Sequence, residues 1–170
     1  MKPQTVIITL IACSVFIGLL VWGYSKNENK SAVVQNTVSA GAKSELVTSD
    51  TFYDFGTISM KDGNVTKEFT VTNPTNKDIT ISTVLTSCMC TSAFIVEPNG
   101  NTKGPFGMPG MGHVHPADEL IKAGENRIIR VVYDPNAHGP AGVGKIDRFV
   151  TLTSADGSEL QLEIKALVKP

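Results

Sequence analysis

The chain has 170 residues, 41% of them hydrophobic and 18% charged, and its 15 Lys and Arg against 16 Asp and Glu leave a formal net charge of −1. Near neutrality, with no basic patch interleaved with aromatics, argues against nucleic acid as a partner and against an anionic lipid surface held by charge alone. The apolar residues are unevenly placed, and that placement divides the chain into three parts.

Thr5 to Tyr24 carries no charged side chain. Twenty residues at about 1.5 Å each span about 30 Å, the hydrocarbon thickness of a bilayer. Trp22 and Tyr24 close the run, where amphipathic rings favour the headgroup region. Residues 1–24 therefore predict an N-terminal signal anchor and single transmembrane helix. A cleaved signal peptide fits less well, because the apolar run is long and Val38-Ser39-Ala40 comes late for a cleavage site. Leu10-Ile11-Ala12-Cys13 resembles a lipoprotein box, but Val15-Phe16-Ile17 follows where a polar tether belongs. Flanking charge barely discriminates orientation, with Lys2 and the terminal amine on one side and Lys26 and Lys30 on the other. A short N-terminal flank and a closely spaced thiol pair favour an extracytoplasmic C-terminal domain. The expected location is the bacterial cell membrane.

Residues 25–50 are rich in Ser, Asn, Lys, Thr, Ala and Val without a sustained period, as in a flexible linker. Residues 51–170 are long enough to bury a core without help from disulfides. Strict alternation dominates them. Asp54-Phe55-Gly56-Thr57-Ile58 reads as an entry strand whose Gly permits a bulge. Val65, Phe69 and Val71 share one face, and Asn73-Pro74-Thr75-Asn76 marks a turn. Ile79 and Ile81 are one-sided, and Ala93 to Val96 is a short apolar strand. Ile129, Val131 and Tyr133 alternate with Ile128, Arg130 and Val132. Ile146, Arg148, Val150 and Leu152 share a face, as do Leu160, Leu162, Ile164, Ala166 and Val168. Ala155-Asp156-Gly157-Ser158 between them is a hairpin turn. No segment after Tyr24 has helical periodicity over three turns. The fold class is all-β, an immunoglobulin-like antiparallel β-sandwich of about seven strands, favoured over a barrel. Its expected core is Phe55, Phe69, Val71, Ile81, Ile129, Val131, Val150, Leu152, Leu162 and Ile164.

Phe52-x-Asp54-Phe55-Gly56-x-Ile58, a strand ending at Asn73, Ser87-Cys88-x-Cys90-Thr91, and Ala123-Gly124-Glu125 before a strand ending in Tyr133-Asp134 form a combined pattern. It resembles the bacterial family called domain of unknown function 1573. The resemblance spans about Thr51 to Val168 and implies an exported immunoglobulin-type sandwich, with no implied activity. Met89 departs from the Gly usual between the cysteines, and Asn99 to Asp118 is an unusually long insertion.

The insertion is rich in Gly and Pro, which argues for a loop, and loops of this length in compact domains are usually functional or disordered. It carries Met108, Met111, His113 and His115, while His138 sits on a second Gly/Pro loop, 135–144. Thiolate, thioether and imidazole suit Cu(I), and thiolate with imidazole suits zinc. Cys88, Cys90, Met108, Met111, His113, His115 and His138 are therefore candidate metal ligands. The alternative is that the methionines pack over the sandwich edge and the histidines are surface residues. For Cys88 and Cys90 alone, a structural role of the loop stands beside thiol–disulfide exchange. A C-x-C disulfide closes a small ring, but the C-x-x-C spacing and βαβ context of thioredoxin-like proteins are absent.

Gly107-x5-His113-x-His115-x3-Glu119 resembles the first metal motif of cupins, yet Gly124 follows Glu119 too soon, no second motif supplies a histidine, and Pro109 and Pro116 disfavour a strand. Gly139 to Gly144 precedes a strand where a phosphate cradle needs a helix. There is no G-x-S-x-G elbow. Asp118, Glu119, Asp134 and Asp147 read as turn and solvent-face acids. The expectation is a non-enzymatic binding or structural module of the cell envelope, anchored in the membrane, with an envelope protein as partner and copper or zinc handling as its alternative.

Overall fold

The computed structural model describes residues 43–110 and 115–170. The expected signal anchor, most of the expected linker, and Met111 and His113 lie outside the described residues. Among the described residues no helix is long and apolar enough to cross a membrane.

The chain forms β1 (Val47–Thr48), β2 (Phe52–Ser59), β3 (Val65–Thr72), β4 (Ile79–Thr86), β5 (Thr91–Val96), β6 (Thr102–Phe106), β7 (Glu119–Ile121), β8 (Asn126–Tyr133), β9 (Gly144–Ser154) and β10 (Glu159–Lys169). They make two five-stranded sheets, ordered β1-β3-β8-β5-β6 and β2-β10-β9-β4-β7. The alternation read from the sequence accounts for them. Leu162, Ile164, Ala166 and Val168 of β10 are buried on one face, and its register against β9 runs unbroken from Glu159↔Thr153 to Val168↔Gly144. Each fully buried Ile, Leu, Val or Phe contributes about 1.5–3 kcal/mol relative to exposure. One-sided strands of this kind are stable only when two such faces meet. Of the expected core, Phe55 alone is half-buried, packed against the rest.

Four features differ from the sequence reading. Among the described residues there are ten strands, not about seven, and β2 pairs with β10 in parallel. The irregularity in that pairing falls between Lys165 and Leu167, opposite Gly56 at φ +67. Gly56 thus supplies the expected bulge, and its N–H donates to Asp54 Oδ1 at 2.7 Å.

The sandwich also begins before Thr51. Leu46 is buried, the Ser44 N–H donates to Glu159 O at 3.1 Å, and β1 pairs with β3. One buried apolar side chain and a two-residue strand are too short to show a period.

The insertion is not simply a loop. It supplies edge strand β6 and leads into β7, and it adds Phe106 and Ala117 to the core. Pro105 is tolerated because β6 pairs on one side only, with β5. Gly104 before it has φ +123, and a Cβ there would sit 2.9 Å from the Ala93 carbonyl oxygen.

Finally, Glu119 is not a solvent-face acid. Its side chain is 4% exposed and bonded to Arg127 Nε and Lys103 Nζ, both at 2.5 Å. Burial pushes its pKa up, but the hydrogen bonds and charges of Lys103 and Arg127 outweigh this and hold it below the usual carboxylate value. Glu119 lies on the second sheet, while Arg127 (β8) and Lys103 (β6) lie on the first. The ion pairs therefore clasp the two sheets together, and they also occupy the carboxylate that a cupin-like site would need.

Candidate functional site

The link from β4 to β5 crosses between the sheets through Ser87 to Cys90. It closes as a tight turn, with the Thr91 N–H donating to Cys88 O at 3.1 Å. The crossing is pinned on both sides. The Ser87 N–H donates to Phe149 O and the Phe149 N–H to Ser87 Oγ, each at 2.9 Å. The Asp134 N–H donates to Cys90 O at 2.9 Å. The turn is thus held between β9 and the end of β8, and its two cysteines project from a fixed backbone.

Cys88 and Cys90 are joined as a disulfide, with Cα atoms 5.2 Å apart. The two sulfurs differ in surroundings. Cys90 is 2% exposed, and Cys88 is half-buried. Cys88 Sγ lies 3.2 Å from Nε2 of His138, which is exposed, and also accepts the Cys90 N–H at 3.3 Å. Arg148 Nε–H donates to Cys90 Sγ at 3.2 Å, and Thr91 Oγ1 lies 3.8 Å from the same sulfur. Tyr133, which pairs with Thr91 across β8 and β5, is 1% exposed, and burial raises its pKa above the usual phenol value against the lowering effect of Arg148.

His138 arrives on the loop between β8 and β9. Asp134 Oδ1 accepts the Asn136 N–H at 2.8 Å, Asn136 Nδ2 donates to Met60 O at 2.8 Å, and the Gly139 N–H donates to Asn136 O at 2.9 Å. The turn and solvent roles expected of Asp134 and Asp147 fit these positions, since Asp147 pairs with Lys165 at 3.4 Å on the surface.

Of the candidate ligands, the structure brings Cys88, Cys90 and His138 together, with one donor atom from each all within 4.8 Å. Met108 does not join them. It lines a groove of about 250 Å³ with Met89, Pro105 and Phe106. His115 is exposed, its ring 6.1 Å from that of Phe106. Arg148 is the residue that sequence reasoning passed over. It stands on the inward face of β9 between Ile146 and Val150, and a lone cation in an apolar phase is the signal that it has a buried partner.

Comparison with known proteins adds a family to this geometry. Residues 46–99 match the family model described as Protein of unknown function (DUF1573). That stretch is similar to the family. Leu46, where the match begins, is the buried residue at the start of the sandwich. The DUF1573 match includes Cys88 and Cys90 and ends before His138 and Arg148. No curated protein matches the sequence. A protein of unknown function from Porphyromonas gingivalis W83 is similar in fold, at 15% identity and a TM-score of 0.52, over 79% of this chain and 51% of its own. This chain thus spans about half the length of that protein. The PapD-like domain 7 of human CEP192 aligns at 9% identity over 76% of this chain and 87% of its own, with a TM-score of 0.46. The YadV chaperone aligns at 13% identity over 75% of this chain and 52% of its own, with a TM-score of 0.42.

Proposed function

We propose that this protein is a membrane-anchored, exported, immunoglobulin-like binding module that is non-enzymatic and that binds a soft metal ion, Cu(I) ahead of Zn(II), at Cys88, Cys90 and His138 when the disulfide is reduced. The observation that carries this reading is the convergence of two sulfurs and a ring nitrogen within 4.8 Å from two loops about fifty residues apart in sequence. A zinc ion stands about 2.3 Å from thiolate and about 2.0 Å from imidazole, so its ligand atoms lie about 3.5–4 Å apart. Three donors that close need little movement to meet an ion. The exported location rests on the apolar run Thr5 to Tyr24.

Reduction of the disulfide consumes two electrons, supplied by a thiol reductant outside the cytoplasm that is itself oxidised to a disulfide. The two thiols then lose their protons to the solvent as the ion binds. Cu(I) is favoured because thiolates are soft and the donor set here is small. Titration of the phosphine-reduced chain with Cu(I) against a competing chelator tests the reading. One equivalent should bind with Kd below about 1 μM, Cys88→Ser and Cys90→Ser should each abolish it, and His138→Ala should weaken it. Binding no tighter than micromolar by the reduced chain removes the proposal. A partner protein that stays bound to both serine variants identifies the module as a scaffold instead.

A further inference from the structure

The surroundings of the two sulfurs are unequal, and thiol–disulfide exchange is sensitive to that inequality. An incoming thiolate attacks one sulfur and expels the other, and the rate depends on access to the first and on how well the second holds negative charge. Cys90 is 2% exposed, while Cys88 is only half-buried and lies beside the exposed His138 ring.

Both sulfurs receive donors. Cys88 Sγ has the Cys90 N–H at 3.3 Å and His138 Nε2 at 3.2 Å. Cys90 Sγ has Arg148 Nε–H at 3.2 Å and Thr91 Oγ1 at 3.8 Å. The difference between the sets is charge. Arg148 is a permanent cation, and a hydrogen bond from a charged donor to a thiolate is about twice as strong as one from a neutral donor. Access and charge therefore favour the same direction.

We infer that the Cys88–Cys90 disulfide is a polarised exchange site, opened by a small-molecule or peptide thiol at Cys88 Sγ, with Cys90 Sγ as the leaving thiolate held by Arg148. The step balances as R–S⁻ + Cys88–S–S–Cys90 → R–S–S–Cys88 + Cys90–S⁻. One sulfur–sulfur bond forms and one breaks, no net oxidation occurs, and the negative charge passes from the incoming thiolate to Cys90. The Cys90 thiolate can return to Cys88 Sγ and expel R–S⁻, or a second R–S⁻ can attack the mixed disulfide and leave both cysteines reduced. Arg148 is a positioning residue that acts through Cys90. The exchange is stoichiometric and supplies the reduced pair that metal binding needs, but it stands without the metal reading.

The test uses the full-length Cys13→Ser chain in detergent, with a chelator present and reduced glutathione as the thiol. After brief exposure the mixture is quenched with N-ethylmaleimide and the 78–103 peptide is sequenced by mass spectrometry. Glutathione should be on Cys88 and maleimide on Cys90, in about tenfold excess over the reverse arrangement. Arg148→Gln should slow opening about tenfold, and Arg148→Lys, which keeps the charge, should recover most of the rate. Thermal melts of both variants check that the fold persists. Adducts mainly on Cys90, an even mixture, no opening of the disulfide, or a folded Arg148→Gln chain that reacts at the parent rate would each overturn the inference. Since no metal is present, these outcomes are independent of the copper titration of phosphine-reduced protein.

Discussion

Replacing Glu119 by Gln tests whether the two sheets are clasped by charge as well as by apolar packing. Glu119 is 4% exposed and Arg127 9% exposed, and they belong to opposite sheets. Breaking a buried pair by removing one partner costs about 3–5 kcal/mol, because the remaining charge is left desolvated. Here the cost falls at or below the low end. Arg127 keeps Asn126 O at 2.7 Å, Leu120 O at 2.8 Å and Glu125 Oε2 at 3.2 Å, and Gln can still accept one hydrogen bond. The expected loss is about 2–3 kcal/mol, which for a domain of this size lowers Tm by roughly 10 °C. Urea unfolding at neutral pH, followed by far-UV circular dichroism, should show a lower midpoint with an unchanged slope. Adding Arg127→Met to Glu119→Gln should recover part of the loss, since the stranded cation is then gone. A Glu119→Gln midpoint equal to that of the parent would refute the clasp.

The same pair gives a pH dependence. Glu119 has a folded pKa below its ordinary value of 4.5, so the ionised pair stabilises the fold above that value, and the contribution is lost as pH falls through the lower folded pKa. The stability gap between the parent and Glu119→Gln should narrow as pH is taken from about 5 to about 3, and a constant gap would contradict the assignment. Gly104→Ala places a Cβ against the Ala93 carbonyl oxygen at a backbone angle that L-residues avoid, and should cost about 1–3 kcal/mol in the same denaturation assay; an unchanged midpoint argues against this account of β6. Asn73 is fully buried, and its Nδ2 donates to Lys77 O at 2.7 Å and Ile121 O at 3.0 Å. Asn73→Ala should therefore cost about 1–3 kcal/mol, measured by thermal melting, and a neutral result would mean that water replaces the amide.

The long strands were legible because a half-buried sheet writes its burial pattern into alternate residues, as in Leu160 to Val168. The edges were not. β1 and β7 have two and three residues, too few for a period, and β6 carries Gly104 and Pro105, which read as loop until the strand is seen to have a free side. The parallel pairing of β2 with β10 depends on contacts more than a hundred residues apart, which no local pattern encodes. At the site, Ser87-Cys88-Met89-Cys90-Thr91 was conspicuous by its spacing and His138 by its loop, but their meeting is a product of how the strand ends are brought together. Glu119 had looked like a surface acid because an ion pair between sheets leaves no trace in either strand alone. Arg148 had left one, as the charged member of an apolar face.

The soft-metal site proposed at Cys88, Cys90 and His138 can be probed by X-ray absorption at the copper edge of the reduced chain loaded with one equivalent of Cu(I). Two sulfur neighbours and one imidazole nitrogen should surround the ion, with the nitrogen contribution lost in His138→Ala. A spectrum without sulfur, or one unchanged by Cys88→Ser with Cys90→Ser, would contradict the account.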